Sequence, residues 1–365
     1  MPDSPPSIEQ LAHDLQAAGI RRIHVLAWRD LDDPDAGGSE VHADEFSRRW
    51  AALGFDIVHR TSALAGRNSV HERNGYRVVS RGGRMTVFPR AIASEVLRRE
   101  GPYDAMVEVW NGVPWFSPVW RRGPRVAFLH HVHGQMWDQI LPAPLAWMGR
   151  ALETRFAPPF YRRTLVLTPS DATREELLEL GFRAGRVQAI PNGVDPSFSP
   201  GGPRADHPLV VAVGRLAPVK RFEALVEAAV TAHRRVPGMQ LQIVGTGPME
   251  ASLRQQIAAA GAEEYVHLLG RVEHDDLISL YRRAWLVSSA SLAEGWGLTL
   301  TEGGACGTPA VATDIRGHHS SVLDGSTGVL VPVEQLGDAI ADVLLDDELR
   351  GRLGVAAQAR AATLT

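Results

Sequence analysis

Short apolar segments alternate with longer amphipathic segments along most of this chain. The short segments are rich in valine, isoleucine and leucine, as buried strands are, and the longer ones carry apolar residues at helical intervals. The strands predicted in the first half are 23–27, 56–59, 103–109, 125–129 and 164–168, and those predicted in the second half are 210–213, 241–244, 266–269, 285–288, 310–312 and 328–331. This alternation predicts an α/β fold whose parallel sheets are covered on both faces.

The predicted helices and one proline-rich stretch divide the chain into two parts. The helices lie at 41–53, 222–235, 249–260, 277–284 and 336–345, and a last periodic segment covers 347–362. Proline and glycine cluster at 196–203 without apolar periodicity, which is typical of a linker. We therefore predict a Rossmann-like domain over residues 1–195, a linker over 196–206 and a second Rossmann-like domain over 207–365. A chain of 365 residues is long enough for two cores.

Composition and charge exclude several classes of protein. The net charge of −4 gives no electrostatic case for binding nucleic acid. Cys306 is the sole cysteine, which excludes an intramolecular disulfide framework and a multi-cysteine zinc site and fits the reducing cytoplasm. Arginine pairs crowd the first half, at 48–49, 98–99, 121–122 and 162–163. They have two interpretations, a basic patch that faces anionic lipid or a phosphorylated acceptor, and a solvated arginine-rich surface.

Targeting and membrane signals are missing from the sequence. Residues 1–6 are polar and proline-rich, without the basic start or apolar core of an export signal. No apolar run approaches the ~20 residues that a spanning helix needs. We expect a cytoplasmic protein that is soluble or peripherally attached to the inner face of the membrane.

The candidate chemistry centres on Glu294 and Glu302, which bracket an E-x7-E element. Eight helical residues rise roughly 12 Å. Paired glycosidase carboxylates stand only about 5 to 9.5 Å apart. The two glutamates are therefore expected to hold opposite ends of one long ligand, with Glu294 accepting hydrogen bonds from sugar hydroxyls and Glu302 from ribose hydroxyls.

A diphosphate is predicted between these two glutamates. Gly295 and Gly297 let the backbone come close, and the N–H groups of Leu298 and Thr299 would face an anion at a positive helix end. Arg215 and Lys220 follow the predicted strand 210–213 and would offset the remaining charge. Lys220 is the only lysine among 38 basic residues, which favours a role for a compact ammonium rather than a planar guanidinium at this position.

Four motifs together resemble the retaining nucleotide-sugar glycosyltransferases of family 4, which have the GT-B fold. The motifs are G-G-S-E at 37–40, I-P-N-G-V-D at 190–195, G-R-L at 214–216 with Lys220, and the E-x7-E element. The resemblance covers nearly the whole chain. It implies two Rossmann-like, doubly wound parallel-sheet domains that face a central cleft, with the donor mainly on the second domain.

The resemblance also implies an activity. The expected reaction moves a sugar from a UDP- or GDP-sugar to a hydroxyl of a sugar, lipid or small-molecule acceptor, with retention, metal-independently and without a cofactor beyond the nucleotide-sugar co-substrate. Catalytic roles fall on Glu294, Arg215, Lys220 and His130, the last near the reacting sugar, with His131 as the alternative. The backbone of Gly38 would approach the donor phosphates. Relatives usually continue into a terminal helix, so the end at Thr365 suggests truncation or disorder.

Alternative interpretations stay open at this stage. A GT-B epimerase, a phosphorylase that uses inorganic phosphate, and a non-catalytic nucleotide-sugar-binding subunit share the same motifs. A nicotinamide enzyme is disfavoured, because Gly245-Thr246-Gly247 is followed by Glu250 where a dinucleotide fingerprint needs a small residue. The acidic stretch 30–35 invites a metal interpretation. A zinc site at the H-H-x-H stretch 130–133 is disfavoured, because neighbours on an extended backbone face opposite ways.

Overall fold

The computed structural model describes residues 6–364 and falls into two compact units. The first contains the residues up to Thr168 together with Arg174–Ala189, and the second contains Pro169–Thr173 and the residues from Ile190 onward. The predictions about an export signal at the N-terminus and about the chain end at Thr365 rest largely on residues outside the described part. Within residues 6–364, no helix has both the length and the apolar character needed to cross a membrane.

The described part of the first unit holds an eight-stranded sheet in the order β3-β4-β2-β1-β5-β6-β7-β8. Its strands are β1 Arg22–Leu26, β2 Asp56–Thr61, β3 Val70–Arg73, β4 Tyr76–Ser80, β5 Ala105–Trp110, β6 Arg125–Leu129, β7 Leu165–Thr168 and β8 Val187–Ala189. All neighbours are parallel except β3 and β4, which form an antiparallel edge hairpin. The prediction that 164–168 closes this sheet is wrong, because β8 pairs alongside β7.

Helices precede or follow these strands along the chain up to Ile190. They are α1 Ile8–Ala17, α2 Gly38–Ala52, α3 Val87–Val96, α4 Ser117–Trp120, α5 Trp137–Ile140, α6 Ala143–Ala151, α7 Ala157–Tyr161 and α8 Asp171–Glu179. A π-helical segment, Leu152–Phe156, joins α6 to α7. The predicted helix 41–53 corresponds to α2, which begins three residues earlier, at Gly38.

The second unit has an all-parallel sheet in the order β11-β10-β9-β12-β13-β14. Its strands are β9 Leu209–Val213, β10 Gln240–Val244, β11 Val266–Gly270, β12 Leu286–Ser289, β13 Ala310–Thr313 and β14 Gly328–Val331. Its helices are α9 Phe222–Arg235, α10 Glu250–Ala259, α11 His274–Arg283, α12 Leu298–Ala305, α13 Arg316–Ser321, α14 Leu336–Leu345 and α15 Asp347–Ala361. Each strand predicted here is present to within one residue at either end.

The central strand β9 shows why this part of the sequence folds as a buried sheet. Leu209 and Val211 point into one hydrophobic cluster, and Val210 and Ala212 point into the cluster on the other face. A strand covered on both faces has no polar side, so its sequence reads as a continuous apolar run. The chain order reverses beside β9, since β10 pairs with one of its edges and β12 with the other. Such a reversal opens a crevice at the carboxyl ends of the two diverging strands.

The stretch predicted as a linker, 196–206, packs onto the second unit. Phe198 and Ala205 are buried in one of its hydrophobic clusters. Arg204 donates a hydrogen bond to the carbonyl of Ala284 at 2.6 Å. The stretch is thus held by side-chain burial and by a side-chain hydrogen bond to the second unit.

Candidate functional site

Two glycine-containing loops interlock at the carboxyl ends of β9 and β10. The Gly214 N–H donates to the Val244 carbonyl at 3.0 Å, and the Leu216 N–H donates to the Thr246 carbonyl at 2.9 Å. A Cβ on Gly245 would lie 2.0 Å from the Gly214 oxygen, closer than atoms can approach. The Gly-Thr-Gly stretch therefore supports the loop that carries Arg215. Arg215 itself is partly buried at the end of β9.

Lys220 and Glu294 meet at the crevice between β9 and β12. The Lys220 Nζ donates to Glu294 Oε1 at 2.5 Å, and the Ser291 hydroxyl donates to the same oxygen at 2.7 Å. The side chains keep 27% and 16% of their surface exposed, respectively, so the pair is reachable from solvent. The ion pair joins residues 74 positions apart in the sequence.

The environment of Glu294 keeps its carboxylate ionised. Burial alone would raise its pKa, but the charge of Lys220 and the hydrogen bonds from Lys220 and Ser291 outweigh burial, so the pKa is lowered. An ionised carboxylate only accepts hydrogen bonds. Glu294 is thus an acceptor with a fixed orientation.

His318 lies fully buried behind Glu294. Its Nδ1 is 2.7 Å from the Thr313 carbonyl, which makes Nδ1 the protonated nitrogen. Burial lowers the pKa of His318, so the ring is neutral at pH 7. Thr313 also donates its hydroxyl to the Ser291 carbonyl at 2.7 Å. These residues fix the loop that presents Glu294.

The start of α12 faces the same region. Gly297 precedes the helix with φ +96°, a left-handed conformation that favours glycine. The first N–H groups of α12, including those of Leu298 and Thr299, have no carbonyl four residues earlier in the helix to bind. Gly317, in α13, packs against the backbone of Glu294, because a Cβ on Gly317 would lie 2.1 Å from the Glu294 carbonyl oxygen. The absence of a side chain at Gly317 therefore lets α13 lie close to the loop that precedes α12. Gly295 lies between Glu294 and this helix start and is partly exposed.

Glu302 has different partners from Glu294. Its carboxylate accepts a hydrogen bond from the Tyr281 hydroxyl at 2.9 Å. Burial raises the pKa of Glu302, with a further contribution from the negative charge of Asp195. The two glutamates of the E-x7-E element therefore occupy separate environments, one paired with a cation and one with a phenol.

In the first unit, Gly38 begins α2 directly after the tightly held turn at Gly37. The Gly37 N–H donates to Glu40 Oε2 at 2.8 Å, and Arg29 Nε donates to Glu40 Oε1 at 3.2 Å. Asn111, which follows β5, donates its amide to Ser39 Oγ at 3.0 Å. The start of this helix is thus partly occupied by the chain's own carboxylate.

His130 follows β6 and is 8% exposed. Its ring packs against Phe128 and His42, and neither ring nitrogen has a hydrogen-bond partner among the described residues. Burial lowers the pKa of His130 well below its ordinary value, and burial also lowers that of His42 to about 4. His130 is therefore a neutral ring. His131 instead stacks on His133 at 4.4 Å.

Arginines bind the acidic stretch 30–35. Arg73 donates to Asp30 and Asp32 at 2.7 and 2.8 Å, and Arg84 donates to Asp33 at 2.9 Å. In residues 6–364, no group of three or more His, Cys, Asp or Glu side chains has the arrangement of a metal site. These ion pairs give the carboxylates a structural role.

Several residues of the site were not predicted from the sequence. Ser291, Thr313, Gly317 and His318 surround Glu294 through contacts that only the folded chain creates. In the first unit, the sequence also showed no sign of the buried Glu153 in the π-helical segment, which accepts hydrogen bonds from the N–H groups of His133 and Gly134. The signal available in the sequence was weak, since a serine three residues before Glu294 and a histidine after β13 are common features.

Comparison with known proteins agrees with the fold and the motifs. Residues 36–198 match the family model described as Glycosyltransferase Family 4, and residues 195–360 match the model described as Glycosyl transferases group 1. The D-inositol 3-phosphate glycosyltransferase of Kribbella flavida is 29% identical, over 93% of this chain and 91% of the relative.

A second relative and a solved structure extend the comparison. The GDP-mannose-dependent alpha-(1-6)-phosphatidylinositol monomannoside mannosyltransferase of Mycolicibacterium smegmatis is 28% identical, over 78% of this chain and 79% of the relative. Sucrose-phosphate synthase from Thermosynechococcus elongatus superposes with a TM-score of 0.78 at 20% identity, over 94% of each chain. With both halves of the chain matched in this way, the protein belongs to the glycosyltransferases of family 4 and has the GT-B fold.

Proposed function

We propose that this glycosyltransferase moves a sugar from a UDP- or GDP-sugar to an acceptor hydroxyl, with retention of configuration and without a bound metal ion. One observation carries the proposal: the ionised Glu294, held by Lys220 and Ser291, lies at the crevice of the second sheet beside the start of α12. A cation, an anion and free backbone N–H groups in one place suit a ligand that has both hydroxyls and a diphosphate.

Lys220 and the start of α12 would stabilise the leaving diphosphate. An ammonium has three donors, so Lys220 can keep Glu294 in place with one and offer the others to phosphate oxygens. The N–H groups of Leu298 and Thr299 and the guanidinium of Arg215 would share the remaining charge. Because these groups are positioned before the reaction, they favour the transition state, in which negative charge develops on the diphosphate.

The two glutamates would orient the rest of the donor. Glu294 accepts hydrogen bonds from hydroxyls of the transferred sugar, and Glu302, beside Tyr281, accepts from the ribose. In the first unit, we propose that the neutral His130 lies near the reacting sugar and that the Gly38 backbone approaches the phosphates. Attack of the acceptor from the face that the nucleotide leaves would give retention, with a donor phosphate oxygen helping to take the acceptor proton.

The relatives support a hydroxyl-rich acceptor. One is named for D-inositol 3-phosphate and the other for phosphatidylinositol monomannoside. We therefore propose a sugar, lipid or small-molecule polyol as the acceptor and a cytoplasmic protein that can act at the inner face of the membrane.

Nucleotide release gives the direct test. Thermal stabilisation by UDP, GDP and their sugars first identifies the donor, since a ligand of the folded state raises its apparent stability. The matching nucleotide-sugar should then release nucleotide only when an acceptor is added, in EDTA as well as without it, and NMR of the product should show the anomeric configuration of the donor.

Other results would favour the alternatives. Release that needs inorganic phosphate would indicate a phosphorylase, and a changed sugar without transfer would indicate an epimerase. Binding without release for any acceptor would indicate a non-catalytic subunit. An inverted product or loss of activity in EDTA would contradict the proposed mechanism.

A further inference from the structure

A cavity of about 380 Å³ in the first unit is lined by four arginines. Arg125 is the first residue of β6. Arg162 and Arg163 lie between α7 and β7, and Arg183 lies between α8 and β8. Phe160, Pro118 and Pro159 complete the wall. The lining of the cavity therefore combines basic and apolar side chains.

The cavity lies at the amino ends of the strands, whereas His130 lies at their carboxyl ends. Each of its arginines precedes or begins one of the parallel strands β6, β7 and β8, so they gather at the amino ends. His130 and Gly38 follow the carboxyl ends of β6 and β1. Five residue steps along β6, at about 3.3 Å each, separate Arg125 from His130 by about 16 Å. The cavity is thus separate from the site proposed above for sugar transfer.

Ion pairs among the described residues do not balance the positive charge of the cavity. Among residues 6–364, no carboxylate forms an ion pair with Arg125, Arg162, Arg163 or Arg183. Arg125 donates to neutral oxygens only, the Thr164 hydroxyl at 3.2 Å and the Arg121 carbonyl at 2.9 Å. Arg73 and Arg84, by contrast, each bind two aspartates.

The acidic influence on Arg125 is weak. The charge of Glu108 acts on Arg125, but Glu108 is fully buried, and burial raises its pKa to about 7. Its carboxyl is therefore only partly ionised at neutral pH. An anion from solution would find guanidinium groups with unused donors.

The apolar wall continues onto the surface. The Phe160 side chain, which lines the cavity, is 51% exposed, and Phe156, one turn earlier in the same helical segment, is also exposed. Val119, next to Pro118 in α4, is exposed as well. An exposed aromatic pair beside unpaired arginines favours a ligand that joins an anionic group to apolar or neutral parts.

We propose that this cavity binds a phosphate group, carried either by a phospholipid headgroup or by a soluble phosphate compound. Guanidinium groups bind phosphate through two parallel hydrogen bonds, which suits several arginines around one small cavity. Its volume is at the low end of the roughly 300–1,000 Å³ of small-molecule sites. The site has room for a headgroup but not for a nucleotide-sugar and an acceptor together.

Two binding assays distinguish the two sources of phosphate. One titrates the protein with inorganic phosphate and follows the ³¹P NMR signal, and the other measures co-flotation with vesicles of phosphatidylglycerol and phosphatidylcholine, with phosphatidylcholine alone as the neutral reference. The test variant combines Arg162→Ala with Arg183→Ala, both at exposed positions. The control combines Arg21→Ala with Arg99→Ala, which removes the same charge from exposed positions that do not line the cavity.

We expect the test variant to bind about tenfold or more weakly than the control in at least one assay, since hydrogen bonds to charged groups each contribute that order of affinity. A loss confined to vesicles assigns the site to lipid, and a loss confined to inorganic phosphate assigns it to soluble compounds. Equal behaviour of the two variants in both assays, including no binding by either, would overturn the proposal. Because both assays measure binding only, their outcome does not depend on sugar transfer.

Discussion

At the scale of single residues, the pairing of Lys220 with Glu294 is the feature on which the proposed function rests. Both residues could be selected from the sequence, one as the only lysine and the other from its glycine-rich neighbourhood. Their contact could not be, because it joins the loops after two strands that are neighbours only in the folded sheet. Ser291, Thr313 and His318 were missed for the same reason.

Replacing Glu294 with alanine should remove transfer while leaving the fold intact. The side chain is partly exposed and its loss leaves Lys220 able to turn toward solvent, so the melting temperature should change little. We expect the turnover to fall by about 10²- to 10³-fold, the usual effect of removing one preorganised polar group. Steady-state nucleotide release and a thermal melt of the same preparation measure the two effects, and unchanged turnover would refute the role of Glu294.

Gly317→Ala should displace Glu294 by pushing on its backbone and its Cβ, while its carboxylate stays chemically unchanged. The new methyl group would overlap the Glu294 carbonyl oxygen, and such overpacking costs about 1–3 kcal/mol. Donor binding should weaken and the melting temperature should fall. Gly351→Ala is the matched control, because Gly351 lies in α15 with open space around it and alanine should stabilise that helix by about 0.5–1 kcal/mol. Equal donor affinity in both variants would contradict this account.

Glu108 should make the first unit less stable as pH rises. Burial raises the pKa of Glu108 from an ordinary 4.5 to about 7, so between these values the folded protein holds a proton that the unfolded chain has released. Stability therefore falls as pH rises through this range, by a total on the order of 3 kcal/mol. In thermal melts from pH 5 to 8, the stability of Glu108→Gln should not show this decline. If stability depends on pH in the same way in the variant and the wild type, the carboxyl does not titrate in this range.

At the scale of secondary structure, the strongly apolar strands were predictable, whereas several elements of the first unit, including the ten-residue helices α1 and α3, were not. Every strand of the second sheet follows from its apolar run, and α9 and α14 were predicted with their observed bounds. The edge strand β3 was missed because it is polar and half exposed, and β8 because it has only three residues; β4 was also missed, although it is mostly buried. Edge strands bury one face or none, so their sequences lack a distinctive pattern.

The loops at β9 and β10 give a prediction at this scale. Gly245→Ala should push the Gly214–Arg215 backbone away from its position, because the new Cβ would overlap the Gly214 oxygen. Gly261→Ala is the control, since Gly261 also has a positive φ but nothing within 4 Å of the added atom. We expect Gly245→Ala to be less stable than the control by about 1–3 kcal/mol and to bind nucleotide more weakly. Urea unfolding and a nucleotide titration test this, and equal stabilities would refute the interlocked arrangement.

At the scale of the whole molecule, the motifs indicated the fold class correctly, whereas the arrangement of charge emerged only from the structure. A net charge of −4 hides the fact that aspartates neutralise some arginines while four others surround one cavity. Residues 125, 162 and 183 meet because β6, β7 and β8 lie side by side. The sequence shows strands in chain order but does not show which ones become neighbours.

Lys220 also offers a way to measure ligand binding by chemical labelling of the unaltered protein. Since no other lysine exists in the chain, the amines that an amine-selective acylating reagent can modify are this ε-amine and the α-amine. The Lys220 side chain is 27% exposed and its ammonium is bound to Glu294, so acylation should be slow, and a bound nucleotide should slow it further. Mass spectrometry of the tryptic peptides would then measure occupancy of the unaltered protein, and a labelling rate indifferent to every nucleotide would place the ligand elsewhere.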